Sequence, residues 1–140
     1  MKIKVGAIGL GFVGGALKKS FESRGQPIIG YDKFQKIGKL EDILNSNIAF
    51  LCLPTPYVAG HGFNLNAIRE NLEKLNNFNY KGLCVIKSTI EPGMTRELSE
   101  EYNLNMAHNP EFLTERTAFE DFNNQKHIVL GKISDSKLFD

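Results

Sequence analysis

The sequence predicts an α/β fold, a doubly wound parallel sheet with helices on both faces in a single domain, and three observations carry that reading. Apolar runs bounded by Gly, Pro, Asn and Asp alternate with helix-period segments, the pattern of βαβ units around a parallel sheet. A glycine-rich turn falls between the first such run and the first helix. The length of 140 residues suits one core, since a chain of that size buries roughly 68–70% of the surface its unfolded form exposes. No internal repeat, low-complexity tract or linker interrupts it, so residues 1–140 are read as one domain.

Strands are expected over residues 3–8, 27–31, 48–53, 83–87, 105–107 and 128–130. The first helix, residues 12–24, places Val13, Ala16, Leu17 and Phe21 on one face, and Gly25 ends it. A second, residues 66–76, sets Leu65, Ile68, Leu72 and Leu75 at spacings of three and four, with Arg69, Glu70, Glu73 and Lys74 toward water. A short acidic helix follows Pro92 and Gly93 over residues 94–102, and a weaker helical turn spans 40–44. Residues 131–140 read as a loop and the first turn of a helix, capped by Ser134 or Asp135.

Composition narrows the function. Hydrophobic residues at 41% and charged residues at 24% are those of an ordinary globular chain. Seventeen Lys and Arg against 16 Asp and Glu leave a net charge of +1, too little to recruit nucleic acid or an anionic membrane. Apolar stretches such as residues 48–54 fall short of the roughly 20 residues a membrane span needs. The N-terminus opens a strand instead of a cleavable signal, so a cytoplasmic location is expected. Cys52 and Cys84 sit in apolar runs as small hydrophobes. His61, His108 and His127 lack metal-ligand spacing, so no metal is expected.

Gly9-Leu10-Gly11-Phe12-Val13-Gly14 fits G-x-G-x-x-G, and its position between strand and helix gives the motif physical meaning. Gly9 permits the tight turn, Gly11 lets backbone approach a pyrophosphate, and Gly14 lets helix pack closely on strand. The amides of Phe12 and Val13 then open a helix whose free N–H groups suit a diphosphate. Asp32 ends the second strand at the distance where a carboxylate accepts hydrogen bonds from adenosine ribose hydroxyls, which favours NAD over NADP. Lys33 and Lys36 stand close enough to blunt that preference. Together these features predict a Rossmann-type nucleotide site; the bland alternative is a tight turn and a solvated strand end.

Three further segments fall at predicted C-terminal strand ends, the edge where open α/β sheets bind ligands. They are Leu53-Pro54-Thr55-Pro56, Lys87 to Gly93 through Ser88-Thr89, and Asn109-Pro110-Glu111-Phe112-Leu113-Thr114-Glu115. The hydroxyls of Thr55, Ser88 and Thr89 suit ribose, a nicotinamide amide or a water, and equally suit turn formation. Glu111, if set beside a nicotinamide and apolar neighbours, becomes a group for proton transfer.

In order and spacing these motifs resemble those of the UDP-glucose, GDP-mannose and UDP-N-acetyl-sugar 6-dehydrogenases across most of the chain, Asn109 to Glu115 being the most specific. The resemblance implies an NAD-dependent, four-electron oxidation of a sugar C6 alcohol to a carboxylate, of the UDP-glucose to UDP-glucuronate type that serves polysaccharide biosynthesis. It implies that Thr89 helps hold a catalytic water and that Glu111 is the acid/base group. Phe112, Leu113 and Thr114 would offer backbone contacts to a sugar nucleotide, a UDP-sugar being favoured, and Glu115 would lie between substrate and cofactor. Thr55, Ser88 and Thr89 would be cofactor contacts, and Lys36 the approximate counterpart of a basic residue beyond the ribose acid.

The chain departs from that pattern in two places. The catalytic Lys, Asn and nucleophilic Cys of the family lie in segments beyond a domain of this size, so the chain alone is expected to turn over no substrate, needing a further C-terminal part or a partner. Residues 33–54 form a much shorter link than the family commonly carries. A homo-oligomer is possible under the resemblance but not implied by these residues. Two alternatives stay open: a non-catalytic NAD-binding regulatory module, and the cofactor half of a β-hydroxyacid-type dehydrogenase.

Overall fold

The computed structural model describes residues 2–133. Along the chain run β1 (Val5–Ile8), α1 (Phe12–Ser23), β2 (Ile28–Tyr31), α2 (Leu40–Ile43), β3 (Ile48–Leu51), β4 (Tyr57–Val58) and β5 (Gly62–Phe63). Then come α3 (Asn66–Asn77), β6 (Leu83–Ile86), α4 (Met94–Tyr102), β7 (Asn105–His108), a 3-10 turn at Glu115–Thr117, α5 (Ala118–Asn124) and β8 (Gly131–Lys132). The main sheet has the order β2-β1-β3-β6-β7-β8. Its first five strands are parallel, with Val5 opposite both Ile28 and Ile48, Ile48 opposite Leu83, and Leu83 opposite Asn105.

That order explains the location of the site. The chain leaves β1 toward β2 on one side and returns past β1 to β3 on the other, so a crevice opens between the C-terminal ends of β1 and β3, the topological switch point of a doubly wound sheet. The short link seen in the sequence leaves β2 as the sheet edge: only the single-turn α2 intervenes between β2 and β3.

Both faces of the sheet are covered. Val5, Ala7 and Ile28 pack with Leu17, Phe21 and Phe122 from α1 and α5. Ile8, Leu51, Cys84, Ile86 and Met106 pack on the other face with Ile43, Ile68, Leu72, Leu75 and Leu98 from α2, α3 and α4. β1 and β6 are accordingly buried at every residue, as parallel strands sandwiched between helix layers must be. Helix α3 shows the expected periodicity, with Ile68, Leu72 and Leu75 inaccessible to solvent.

Two expectations need correction. Residues 128–130 form no strand: Ile128, Val129 and Leu130 are exposed, and the Val129 carbonyl accepts a hydrogen bond from Asn109 Nδ2 at 2.7 Å. Pairing begins only at Gly131, and β8 runs antiparallel to β7. The second concerns segments that short-range patterning did not mark, the β4–β5 hairpin and α5. Helix α5 owes its position to tertiary contacts, Ser20 Oγ to Asn123 Oδ1 at 2.7 Å and Phe21 against Phe122 at 6.4 Å between ring centres. Phe119 lies beneath Lys19 Nζ, 4.3 Å from its ring centre. The expected cap at Ser134 or Asp135 lies outside the described residues.

Candidate functional site

The glycine turn is built as its spacing requires. Gly9 has φ +85° and Gly14 lies against it so closely that a Cβ on Gly14 would stand 1.9 Å from the Gly9 carbonyl oxygen. A Cβ on Gly11, by contrast, would meet nothing within 4 Å. Gly9 and Gly14 are therefore fixed by the protein's own packing, while the room above Gly11 faces the crevice. Helix α1 starts at Phe12 with no side-chain cap and no acidic residue in its first turn, which leaves its amides and positive dipole end to an anion.

Gly9, Gly11, Phe12, Val13, Asp32, Thr55, Ser88, Thr89 and Glu111 all line one cleft of about 490 Å³, a size typical of small-molecule sites. Helix α3 contributes Ala67, Glu70 and Asn71 to the same wall. Nine of the anticipated residues, from five separate stretches of sequence, thus converge. Gly14 lies beneath this wall.

Asp32 is buried, and its carboxylate is bonded on every side. Oδ1 accepts from the amides of Phe34 (3.0 Å) and Gln35 (2.8 Å), and Oδ2 accepts from the Leu10 amide (2.8 Å) and Gln35 Nε2 (3.1 Å). Burial alone would raise its pKa, but the bonds from Gln35, Leu10 and Phe34 outweigh it and hold the pKa below the usual carboxylate value. Asp32 thus caps its own turn, closed by reciprocal backbone bonds to Ile37, while facing the cleft. Lys33 is bridged to Glu70 at 3.1 Å across it. Lys36 has φ +56°, is exposed and lies outside the lining.

The hydroxyls at the strand ends are partly occupied. Ser88 Oγ donates to the Leu53 carbonyl at 2.6 Å and accepts from the Leu53 amide at 3.0 Å, fastening the loop after β6 to that after β3. Thr55 Oγ1 donates to the Thr89 carbonyl at 2.7 Å. The turn-forming and cleft-lining readings of these residues therefore coexist. Thr89 is exposed, and Glu111 is half-buried with Oε2 accepting from the Leu113 amide at 2.6 Å.

The rest of the Asn109 to Glu115 segment is placed differently. Phe112, Leu113 and Thr114 line a neighbouring recess with Asp121, Lys126 and His127. Asp121 Oδ2 accepts from the Thr114 amide (2.9 Å), Thr114 Oγ1 (2.8 Å) and Thr117 Oγ1 (2.9 Å), which pins that segment to α5. Glu115 is exposed and lines neither space.

Two cleft residues escaped the sequence reading. Lys87 is only 4% exposed, donates to the Asn109 side-chain oxygen at 2.8 Å and its carbonyl at 3.2 Å, and has its pKa lowered by burial. The signal was a cation closing an otherwise apolar strand. Gln35 carried no signal, since only the folded turn brings it to Asp32. Cys52 also lines the cleft, but desolvation pushes its thiol up to about 12, which keeps it protonated near neutrality. Among the described residues no group of His, Cys, Asp and Glu could hold a metal, and no helix is long and apolar enough to cross a membrane.

Residues 34–138 match the model of the UDP-glucose/GDP-mannose dehydrogenase family, NAD binding domain. The chain belongs to that family. Its cofactor is NAD, and the cleft fits it: open space over Gly11, uncapped amides at α1 and an acid at the end of β2. UDP-glucose 6-dehydrogenase of Haloferax volcanii is 33% identical over 74% of this chain and 28% of its own length. That of Rickettsia bellii is 33% identical over 65% and 22%. The chain spans less than a third of the length of these curated relatives. UDP-glucose dehydrogenase from Pyrobaculum islandicum shares the fold, with a TM-score of 0.79 at 22% identity over 96% of this chain and 42% of that one. A 3-hydroxyisobutyrate dehydrogenase from Mycobacterium tuberculosis shares it too, at 0.69 and 16% identity over 86% and 44%.

Proposed function

We propose that this chain is the NAD-holding part of a nucleotide-sugar 6-dehydrogenase, oxidising the C6 alcohol of a UDP-sugar to a carboxylate only together with residues this chain does not supply. The observation that carries the reading is that Thr89 and Glu111 line the same cleft as the glycine turn and Asp32. A nicotinamide cofactor supplies the hydride acceptor. Gly11 and the α1 amides hold its diphosphate, Asp32 its adenosine ribose, and Ser88 and Thr55 shape the opposite wall. Thr89 holds a water by its exposed hydroxyl, and Glu111 exchanges a proton with the reacting oxygen.

The second oxidation needs a thiolate to hold the aldehyde, and the described residues offer none: Cys52 and Cys84 both have thiols pushed up to about 12 by burial. The chain alone therefore binds NAD without turnover. Phe112, Leu113, Thr114 and Glu115 meet the sugar nucleotide only once the remaining part, on a longer chain or in a homo-oligomer, closes over the second recess. The NAD and sugar-nucleotide pools this reading needs are those of the cytoplasm.

A chimera tests it. This chain, replacing the matching segment of the Rickettsia bellii relative, should form NADH from UDP-glucose, and Glu111→Gln should cut that rate about 100-fold or more. A folded, NAD-binding chimera that oxidises no UDP- or GDP-sugar would overturn the proposal.

A further inference from the structure

Carboxylate oxygens offer about four acceptor positions in all, and in Asp32 four donors fill them. Three are backbone amides, of Leu10, Phe34 and Gln35, which belong to the glycine turn and to the turn that follows β2. The fourth is the Gln35 carboxamide, and its second N–H is also used, donating to the Leu10 carbonyl at 2.8 Å. Gln35 therefore ties the turn after β2 to the glycine turn at the mouth of the cleft both line. A ribose diol approaching Asp32 finds no acceptor position left, and of the four donors only the Gln35 side chain can withdraw without unmaking a backbone turn.

We infer that Gln35 is an internal competitor of the cofactor, its carboxamide holding the position on Asp32 that an adenosine ribose hydroxyl takes, so that binding proceeds by displacement of Gln35. The inference rests on the assignment of Asp32 as the ribose acceptor. It sets affinity at one defined place: the ribose exchanges one donor for another and gains less than it would at a vacant carboxylate, and Gln35 loses its bond to Leu10 as well. The Lys33 to Glu70 bridge at 3.1 Å spans the same end of the cleft and does not involve Asp32, so removing Gln35 leaves that crossing in place.

The decisive comparison is calorimetry of NAD⁺ and of ADP with the wild-type chain, Gln35→Ala and Gln35→Met, thermal melts confirming that each is folded. Both variants should bind NAD⁺ and ADP about three- to tenfold more tightly, the range expected when one or two net hydrogen bonds no longer have to be broken. Inorganic pyrophosphate, which lacks the ribose, should show no change between the three proteins. In ¹⁵N spectra of the wild type, the Gln35 side-chain amide signals should move on addition of ADP. Weaker or unchanged NAD⁺ binding by both folded variants overturns the competitor role while leaving the NAD site intact. Absence of NAD⁺ binding by all three proteins overturns the site assignment itself and this inference with it. If either variant fails to fold, the other and the amide signals decide.

Discussion

The carbonyl oxygen of Gly9 occupies the place where a side chain on Gly14 would begin, 1.9 Å from an added Cβ, whereas Gly11 two residues on from Gly9 has open space in that direction. The pair separates a packing glycine from a ligand-facing one. Gly14→Ala should cost roughly 3 kcal/mol or more of stability because backbone must move. Gly11→Ala should cost no more than about 1 kcal/mol yet weaken NAD⁺ binding about tenfold or more. Urea melts and calorimetry on the two variants check both statements; equal loss of stability would remove the distinction.

Asp32 yields a pH signature. Its folded-state pKa is held below the ordinary value by amide donors, so its stabilising contribution is complete above the unfolded pKa of about 3.9 and disappears as pH falls through the lower folded value. Asp32→Asn should lower stability at neutral pH by about 1.5–3 kcal/mol and flatten the acid limb of the stability profile. A limb unchanged by the substitution would contradict the hydrogen-bonding account.

Lys87 should act in the opposite range. Burial lowers its pKa, so the folded chain gives up that proton before the unfolded chain does. Between the two values the unfolded state holds more protons, and stability rises with pH. Chemical melts on the alkaline side, up to the ordinary lysine value of about 10.4, should show wild type gaining on Lys87→Met as pH rises, the variant having no proton to lose.

The fastening of Ser88 to Leu53 predicts a structural cost distinct from cofactor binding. Ser88 is buried, and Ser88→Ala removes both bonds at 2.6 and 3.0 Å, so stability should fall by about 1–3 kcal/mol. Denaturant midpoints would read it, and no loss would mean that a water or a shifted loop satisfies the Leu53 amide.

Local pattern was enough for much of this molecule. Leu65, Ile68, Leu72 and Leu75 announce α3 by their spacing, and Gly9 to Gly14 announce the turn by lying between strand and helix. What local pattern missed depends on distant partners. Helix α5 is seven residues long and is held by Ser20 and Phe21, about a hundred positions away. Residues 128–130 are apolar enough for a strand, yet Asn109 holds their backbone aside and pairing starts at Gly131. The site followed the same rule: glycines, acids and hydroxyls at strand ends were legible, while the saturation of Asp32 by Gln35 and the burial of Lys87 exist only once the chain has folded.

On the proposed reading, the crevice at the ends of β1 and β3 is a NAD site at which Asp32 favours NAD⁺ over NADP⁺. Isothermal titration calorimetry with NAD⁺ and NADP⁺ tests it most directly. One saturable NAD⁺ site per chain is predicted, with NADP⁺ bound at least about tenfold more weakly and NAD⁺ affinity falling about tenfold or more in Asp32→Ala, the loss expected for charge-assisted bonds. No heat with either dinucleotide at millimolar concentration, or equal affinity for both in the wild type, would contradict it.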